Sequence, residues 1–116
     1  MNNRMNLDNL LPRSSKARSG QLGLFAVLNL GMVESLANGA IGAADALRVF
    51  YHADNCLFVR KELHDKTADA IMSHGVQLAD FFDVLPIEEA RREFQRELAT
   101  MRALCLKLLE KKRLVA

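Results

Sequence analysis

The chain has 116 residues, enough for one domain and too few for two. Half of the residues are apolar and 26% are charged, a composition that forms a core and excludes a chain that stays disordered. The formal net charge of +2 is too small to identify a polyanion as the partner. With one Tyr, no Trp and only two Pro, the chain has few strand formers and few turns, which excludes an all-β fold. We therefore expect an all-α, four-helix bundle-like domain with a long C-terminal helix.

Residues 1–19 are polar and basic around a short leucine group that Pro12 closes. We expect an N-terminal arm here, either flexible or docked as a turn, followed by a single helical domain over residues 20–116. The apolar stretch Leu22–Val33 follows basic residues, as in a signal peptide, but the leader contains Asp8 and the stretch is interrupted. It would also cover only about 18 Å of a bilayer core of about 30 Å. These features predict a buried core helix in a cytoplasmic protein, without a membrane span.

The first predicted helix covers residues 21–36 and is apolar on nearly every side, which is typical of a helix at the centre of a fold. Gly31, Ser35 and Gly39 recur every four residues, so one row of this helix has almost no side chains and another helix can approach it closely. Two interpretations remain open: helix packing within one chain, or the seam of a homodimer. The glycines after this helix predict a turn.

The second predicted helix runs from about Ala43 to about Leu63, with apolar residues at three- and four-residue spacing. A break of this helix at Asp54-Asn55 remains open. Arg48, His52 and Asn55 follow the same spacing on its other face, so we expect them to form one polar stripe. Such a stripe is what any amphipathic helix presents to solvent or to a partner. An Arg and a His one turn apart could also bind a phosphate or cleave RNA.

The third predicted helix runs from a capping Asp65 to about Phe82, with a bend or break expected at Ser73-His74-Gly75. The pair His64-Asp65 could instead belong to a metal site with His52 as a further ligand. We prefer the cap, because it explains Asp65 without any further residue. A carboxylate at this position accepts hydrogen bonds from the N–H groups of the first helical turn. The sequence therefore predicts no metal site here.

The fourth predicted helix begins at Pro86 and is the longest. Pairs between Glu88 and Arg92, and between Glu93 and Arg96, are expected on its solvated face. Its apolar residues keep the average spacing of a coiled-coil seam, so we expect this helix to pack lengthwise on a neighbour. The seam residues are Ile87, Ala90, Phe94, Leu98, Met101, Cys105 and Leu108.

No motif for catalysis or cofactor binding is present. The sequence lacks a glycine-rich phosphate loop and a dinucleotide fingerprint, and it lacks the strands that both require. Cys56 and Cys105 are far apart and have no neighbouring base, so we interpret both as small buried apolar residues. We assign no catalytic residue, no metal and no cofactor.

The hypothesis that fits these patterns best is a protein that acts through protein–protein interaction, as an adaptor, chaperone-like or regulatory protein. We expect its partners to be a second copy of itself and an unknown protein, since a short chain rich in apolar residues favours association. One alternative is a nucleic-acid-associated protein that uses the basic arm and the basic end of the fourth helix. The arm's basic residues are Arg4, Arg13, Lys16 and Arg18. The other alternative is a phosphate-directed hydrolase or ribonuclease that uses Arg48 and His52, with His64 and Asp65.

Overall fold

The protein is all-α, as predicted. The computed structural model describes residues 4–11 and 17–111, with side chains in the second range from residue 20, and this part of the chain contains no strand. Its elements are α1 (Leu7–Leu10), α2 (Ala17–Ala37), α3 (Ala43–Val49), α4 (Ala53–Phe58), a π-helical turn (Val59–Leu63), α5 (Lys66–Gln77), α6 (Asp80–Val84) and α7 (Ile87–Lys111).

The two longest helices, α2 and α7, form the centre of the fold. They run in opposite directions. Leu36 near the end of α2 lines the same groove as Phe94 in the first half of α7, whereas Glu34, two residues earlier, pairs with Arg102 at 2.7 Å. Helix α5 packs against α7, and α3, α4 and the π-helical turn close the remaining side of the core. The four predicted helices are therefore present, two of them in pieces.

The seam of α7 is confirmed for all but its first residue. Six of the seven predicted side chains are buried, namely Ala90, Phe94, Leu98, Met101, Cys105 and Leu108. Ile87, the first, is 54% exposed. The carbonyl of Pro86 accepts the first helical hydrogen bond, from the N–H of Ala90 at 2.8 Å. The expected pair between Glu93 and Arg96 forms at 3.5 Å.

The second predicted helix is broken, but after Val49 and not at Asp54-Asn55. Helix α3 ends at Val49, and both Phe50 and Tyr51 are fully buried. Neighbouring positions of one helix point about 100° apart, and the turn after α3 directs both rings inward. His52 then begins α4 as its N-cap, with an extended backbone and its ring accepting the N–H of Asn55 at 3.4 Å.

The cap of the third predicted helix is confirmed, but its bend lies elsewhere. Asp65 accepts a hydrogen bond from the N–H of Ala68 at 2.9 Å. The helix breaks after Gln77 and not at Gly75. Gly75 instead contacts the ring of Tyr51 so closely that a Cβ atom at this position would lie 2.3 Å from a ring carbon.

Helix α2 forms where predicted, and Gly39 makes the following turn with a φ of +81°. Its covered face carries the buried side chains Leu22, Phe25, Ala26, Met32, Val33 and Leu36. By length and composition the window Gly20–Ala37 of this helix could also cross a membrane, but half of the window is buried inside the protein. Core helices of soluble proteins meet the same criteria, so the finding is weak evidence for a span.

The N-terminal arm is docked over residues 4–11. Leu7 and Leu11 are buried in the core, and the N–H of Met5 donates to the carbonyl of Val49 at 2.9 Å. Residues 1–3 and 12–16 of the predicted arm lie outside the described residues, and residues 17–19 belong to α2, which begins at Ala17. Of the two forms expected for the arm, the structure shows the docked turn in the part that it describes.

Candidate functional site

Asn55 is buried and attaches the N-terminal segment to α4. Its Nδ2 group donates to the carbonyls of Met5 and Phe50, both at 2.8 Å. Its Oδ1 atom accepts the N–H of Leu7 at 2.9 Å. Both ends of the amide are thereby used in holding backbone groups of the same chain.

His52 completes this attachment. Its Nε2 atom lies 3.0 Å from the carbonyl oxygen of Met5, which can only accept, so Nε2 carries the proton. Its Nδ1 atom accepts from the guanidinium of Arg4 at 2.9 Å, which fits a neutral ring. Arg4 also donates to Asp54 at 2.6 Å. The ring nitrogens of His52 are thus engaged in structure.

Arg48 lies apart from His52 and Asn55, so the three do not form one stripe. It is exposed on α3 and pairs with Asp45 at 3.1 Å. The break between α3 and α4 separates it from His52, which removes the one-turn spacing expected of a phosphate or RNA site. His64 lies further along the chain, exposed and in the left-handed backbone region with a φ of 47°. Within the described residues, no three His, Cys, Asp or Glu side chains are grouped to hold a metal ion.

The basic arm proposed for nucleic acid is described only at Arg4, which is already bound to Asp54 and His52. The side chains of its other members, Arg13, Lys16 and Arg18, lie outside the described residues, as do Lys112 and Arg113 at the basic end of α7.

A second polar group is buried in the core around Tyr51. The Tyr51 hydroxyl donates to Oδ1 of Asn29 at 2.9 Å, and Asn29 donates in turn to the carbonyl of Phe25. Burial, with a smaller contribution from Cys105, raises the pKa of Tyr51 far above its ordinary 10.0. Burial also raises the pKa of Cys105 to about 12, the opposite of what a nucleophilic thiol needs.

The two cysteines are free, and their burial differs. Cys105 is buried as predicted, whereas Cys56 is only partly buried. Burial raises the pKa of Cys56 despite an opposing effect of Arg60. Neither thiol has the depressed pKa that would indicate a reactive centre.

His74 forms a hydrogen bond that the sequence did not reveal. Its Nδ1 lies 2.5 Å from Oε2 of Glu97, and the contact joins α5 to α7 where both side chains are partly covered. Nothing in the local sequence links two residues 23 positions apart on different helices. The sequence indicates His74 only as part of the expected bend.

One side of α2 is apolar and uncovered. Leu24 and Val27 are 46% and 54% exposed, and Gly31 is exposed one turn further on. A Cβ atom at Gly31 would meet nothing within 4 Å, so no other part of the described chain packs on it. Ser35 is half-buried and Gly39 lies exposed in the turn. Packing within the chain therefore does not account for Gly31, and that interpretation of the glycine row is wrong there.

A second apolar surface is a groove of about 560 Å³ between the α2–α3 turn, α6 and α7. Its apolar walls are formed by Leu36, Ile41, Phe82 and Phe94, and the last two rings meet edge to face at 5.3 Å. Two smaller clefts, beside α1 and beside Cys56, have more polar linings.

A protein family matches most of this fold. The family model described as "Protein of unknown function (DUF3969)" matches residues 21–115, well over half of the chain. The chain belongs to this family. No curated protein and no solved structure matches it.

The DUF3969 match extends from α2 through α7, so it includes the uncovered side of α2, the groove, His52 and Asn55. The docked segment from Arg4 to Leu11 precedes it. Both apolar surfaces therefore lie in the part of the chain that the DUF3969 model describes.

Proposed function

We propose that this protein acts through protein–protein interaction and forms a homodimer through the α2 outer face, defined as Leu24, Val27 and Gly31. One observation carries the proposal. Helix α2 is apolar on nearly every side, yet its own chain covers only part of it and leaves Leu24 and Val27 about half exposed. Helices that are apolar all round are normally buried on all sides.

The chemistry of the face favours a second copy as the occupant. Residues 20–31 contain no charged side chain, so two identical faces can meet about a twofold axis without repulsion between like charges. Covering Leu and Val removes apolar surface from water, at about 25 cal/mol per Å². Gly31 has no side chain and allows the two backbones to approach closely at its position.

In this proposal the dimer is a cytoplasmic adaptor, chaperone-like or regulatory protein. The groove and the remaining surface are then available to another protein. The alternative hydrolase or ribonuclease function has no geometric support in the described residues, because Arg48 and His52 are engaged separately.

Light scattering on the purified chain tests the dimer, over about a hundredfold range of concentration at low and moderate salt. We expect a dimer that persists in both salts, because the face is uncharged and salt screens only charges. The variant Val27→Asp should be monomeric with an unchanged helical circular dichroism spectrum. Val76→Asp places the same charge at an exposed valine of α5 and should leave the dimer intact.

A monomeric natural chain at every concentration would refute the dimer. Dissociation of Val76→Asp as readily as Val27→Asp would also refute it, since the effect would then not belong to α2.

A further inference from the structure

The groove beside α6 continues into exposed apolar side chains. Phe82 forms one wall and is 40% exposed, and the next apolar residue of α6, Val84, is 75% exposed. Ile87 lies two helical turns before the wall residue Phe94 on the same side of α7, and it is the one seam residue left uncovered. We call this surface, from the groove to Ile87, the α6 groove.

The rim of the α6 groove is acidic, in a chain whose net charge is positive. Asp45 and Asp83 line the groove itself. Asp80 on α6 and Glu88 and Glu89 on α7 are exposed close by in sequence, and so are Arg91 and Arg92 on α7. These five acids outnumber the three bases Arg48, Arg91 and Arg92. Among the described residues, Asp45 forms an ion pair with Arg48, and the other four acids form no ion pair.

We propose that the α6 groove binds a basic amphipathic helix of a partner protein. A helix that lies in an apolar groove inserts side chains spaced three and four residues apart, and its polar flanks face the rim. Here the acidic rim selects Lys or Arg on those flanks, and the walls accept Leu-sized or Phe-sized side chains. This inference names the partner class for the proposed interaction function, but it does not depend on the α2 dimer.

A labelled peptide of about 14 residues, built from Leu and Lys with helical periodicity, is the probe. We expect fluorescence anisotropy to show saturable binding to the full chain, weakening as salt rises. A Leu and Glu peptide of the same pattern should bind at least about tenfold more weakly, since like charges then face each other. The monomeric Val27→Asp variant should bind the basic peptide as the natural chain does, which separates this test from that of the dimer.

Three variants locate the binding. Phe82→Ser removes an apolar wall and should weaken the peptide about tenfold. Asp83→Lys should weaken it about fivefold at low salt, and its fold tolerates the change because Asp83 is exposed and has no ion pair among the described residues. Glu110→Lys makes the same change of charge at the other end of α7 and should have less than about a twofold effect.

Equal binding of the acidic peptide, or an equal loss in Glu110→Lys and Asp83→Lys, would overturn the proposal. So would a shift of the monomer–dimer equilibrium in Phe82→Ser, because the groove would then hold a second copy of the chain.

Discussion

Gly75 is the residue at which the fold tolerates a side chain least. A methyl group there would overlap the ring of Tyr51, which is itself fully buried and cannot swing into solvent. We expect Gly75→Ala to lower the free energy of unfolding by about 1–3 kcal/mol, the usual cost of overpacking a core. Urea denaturation followed by circular dichroism measures the change.

Gly23→Ala is the matched control for that measurement. Gly23 also lies within a helix, but a Cβ atom there meets nothing within 4 Å. Alanine should therefore stabilise the protein by up to about 1 kcal/mol through its better helix propensity. Equal destabilisation by the two variants would contradict the contact between Gly75 and Tyr51.

The buried hydroxyl of Tyr51 should make the protein sensitive to alkali. Because burial raises the pKa of Tyr51, the unfolded chain loses this proton near the ordinary value of 10.0 while the folded chain keeps it. This group therefore leaves the free energy of unfolding unchanged below the ordinary pKa of 10.0. Above that pH it lowers the free energy of unfolding by about 1.4 kcal/mol per pH unit.

The chain has one Tyr and no Trp, so the ultraviolet absorbance of tyrosinate reports this residue alone. We expect tyrosinate to form together with loss of helix, and not before it. Tyr51→Phe, which lacks the proton, should lose stability less steeply above pH 10. A tyrosinate signal in the folded protein would disprove the burial effect.

At the scale of elements, the N-terminal segment depends on one side chain of α4. Asn55→Ala leaves the N–H of Leu7 and the carbonyl of Phe50 without this partner, and leaves the carbonyl of Met5 with His52 alone. We expect a loss of about 2–4 kcal/mol, since each unsatisfied buried group costs about 1–3 kcal/mol unless water reaches it.

Hydrogen exchange shows which part of the chain loses stability in Asn55→Ala. The amides of residues 4–11 should exchange much faster in Asn55→Ala, while those of α7 change little. Asn9→Ala, an exposed asparagine of α1, is the control and should leave both regions unchanged. Uniformly faster exchange over the whole chain would show that Asn55 supports the fold globally and not this segment.

The helices could be predicted from sequence where their own side chains determine them. The spacing of apolar residues in α7 identified six buried positions, and Asp65 marked the start of α5. The break after α3 was missed because Phe50 and Tyr51 are apolar and no Pro or Gly stands beside them. The role of Asn55 was missed because its partners lie about 50 residues earlier, and spacing cannot distinguish a solvated polar group from one that a distant segment covers.

At the scale of the whole molecule, the uncovered half of α2 is the feature that the sequence alone could not give. Periodicity showed a helix apolar on every side, and the usual inference is complete burial. A chain of 116 residues forms too few elements to surround its central helix, since small domains leave a large share of their surface exposed. An apolar helix in so short a chain is therefore a reason to expect self-association.

Replacing Gly31 by leucine should have opposite effects on the stability of the monomer and on the affinity of the dimer. In the monomer a Cβ atom at this position would meet no described residue within 4 Å, so we expect Gly31→Leu to raise the free energy of unfolding by about 0.5–1 kcal/mol through helix propensity. That corresponds to an increase of a few degrees in the melting temperature, measured at a concentration low enough for the dimer to dissociate.

In the dimer the same leucine fills the space that the partner backbone needs, so the dissociation constant should rise about tenfold or more. Val76→Leu, an exposed valine replaced on α5, is the control and should leave the dissociation constant unchanged. If the two backbones approach closely at Gly31, the leucine variant should form a more stable monomer and a weaker dimer. An equally tight or tighter dimer would place the contact elsewhere, because added apolar surface without close approach strengthens association.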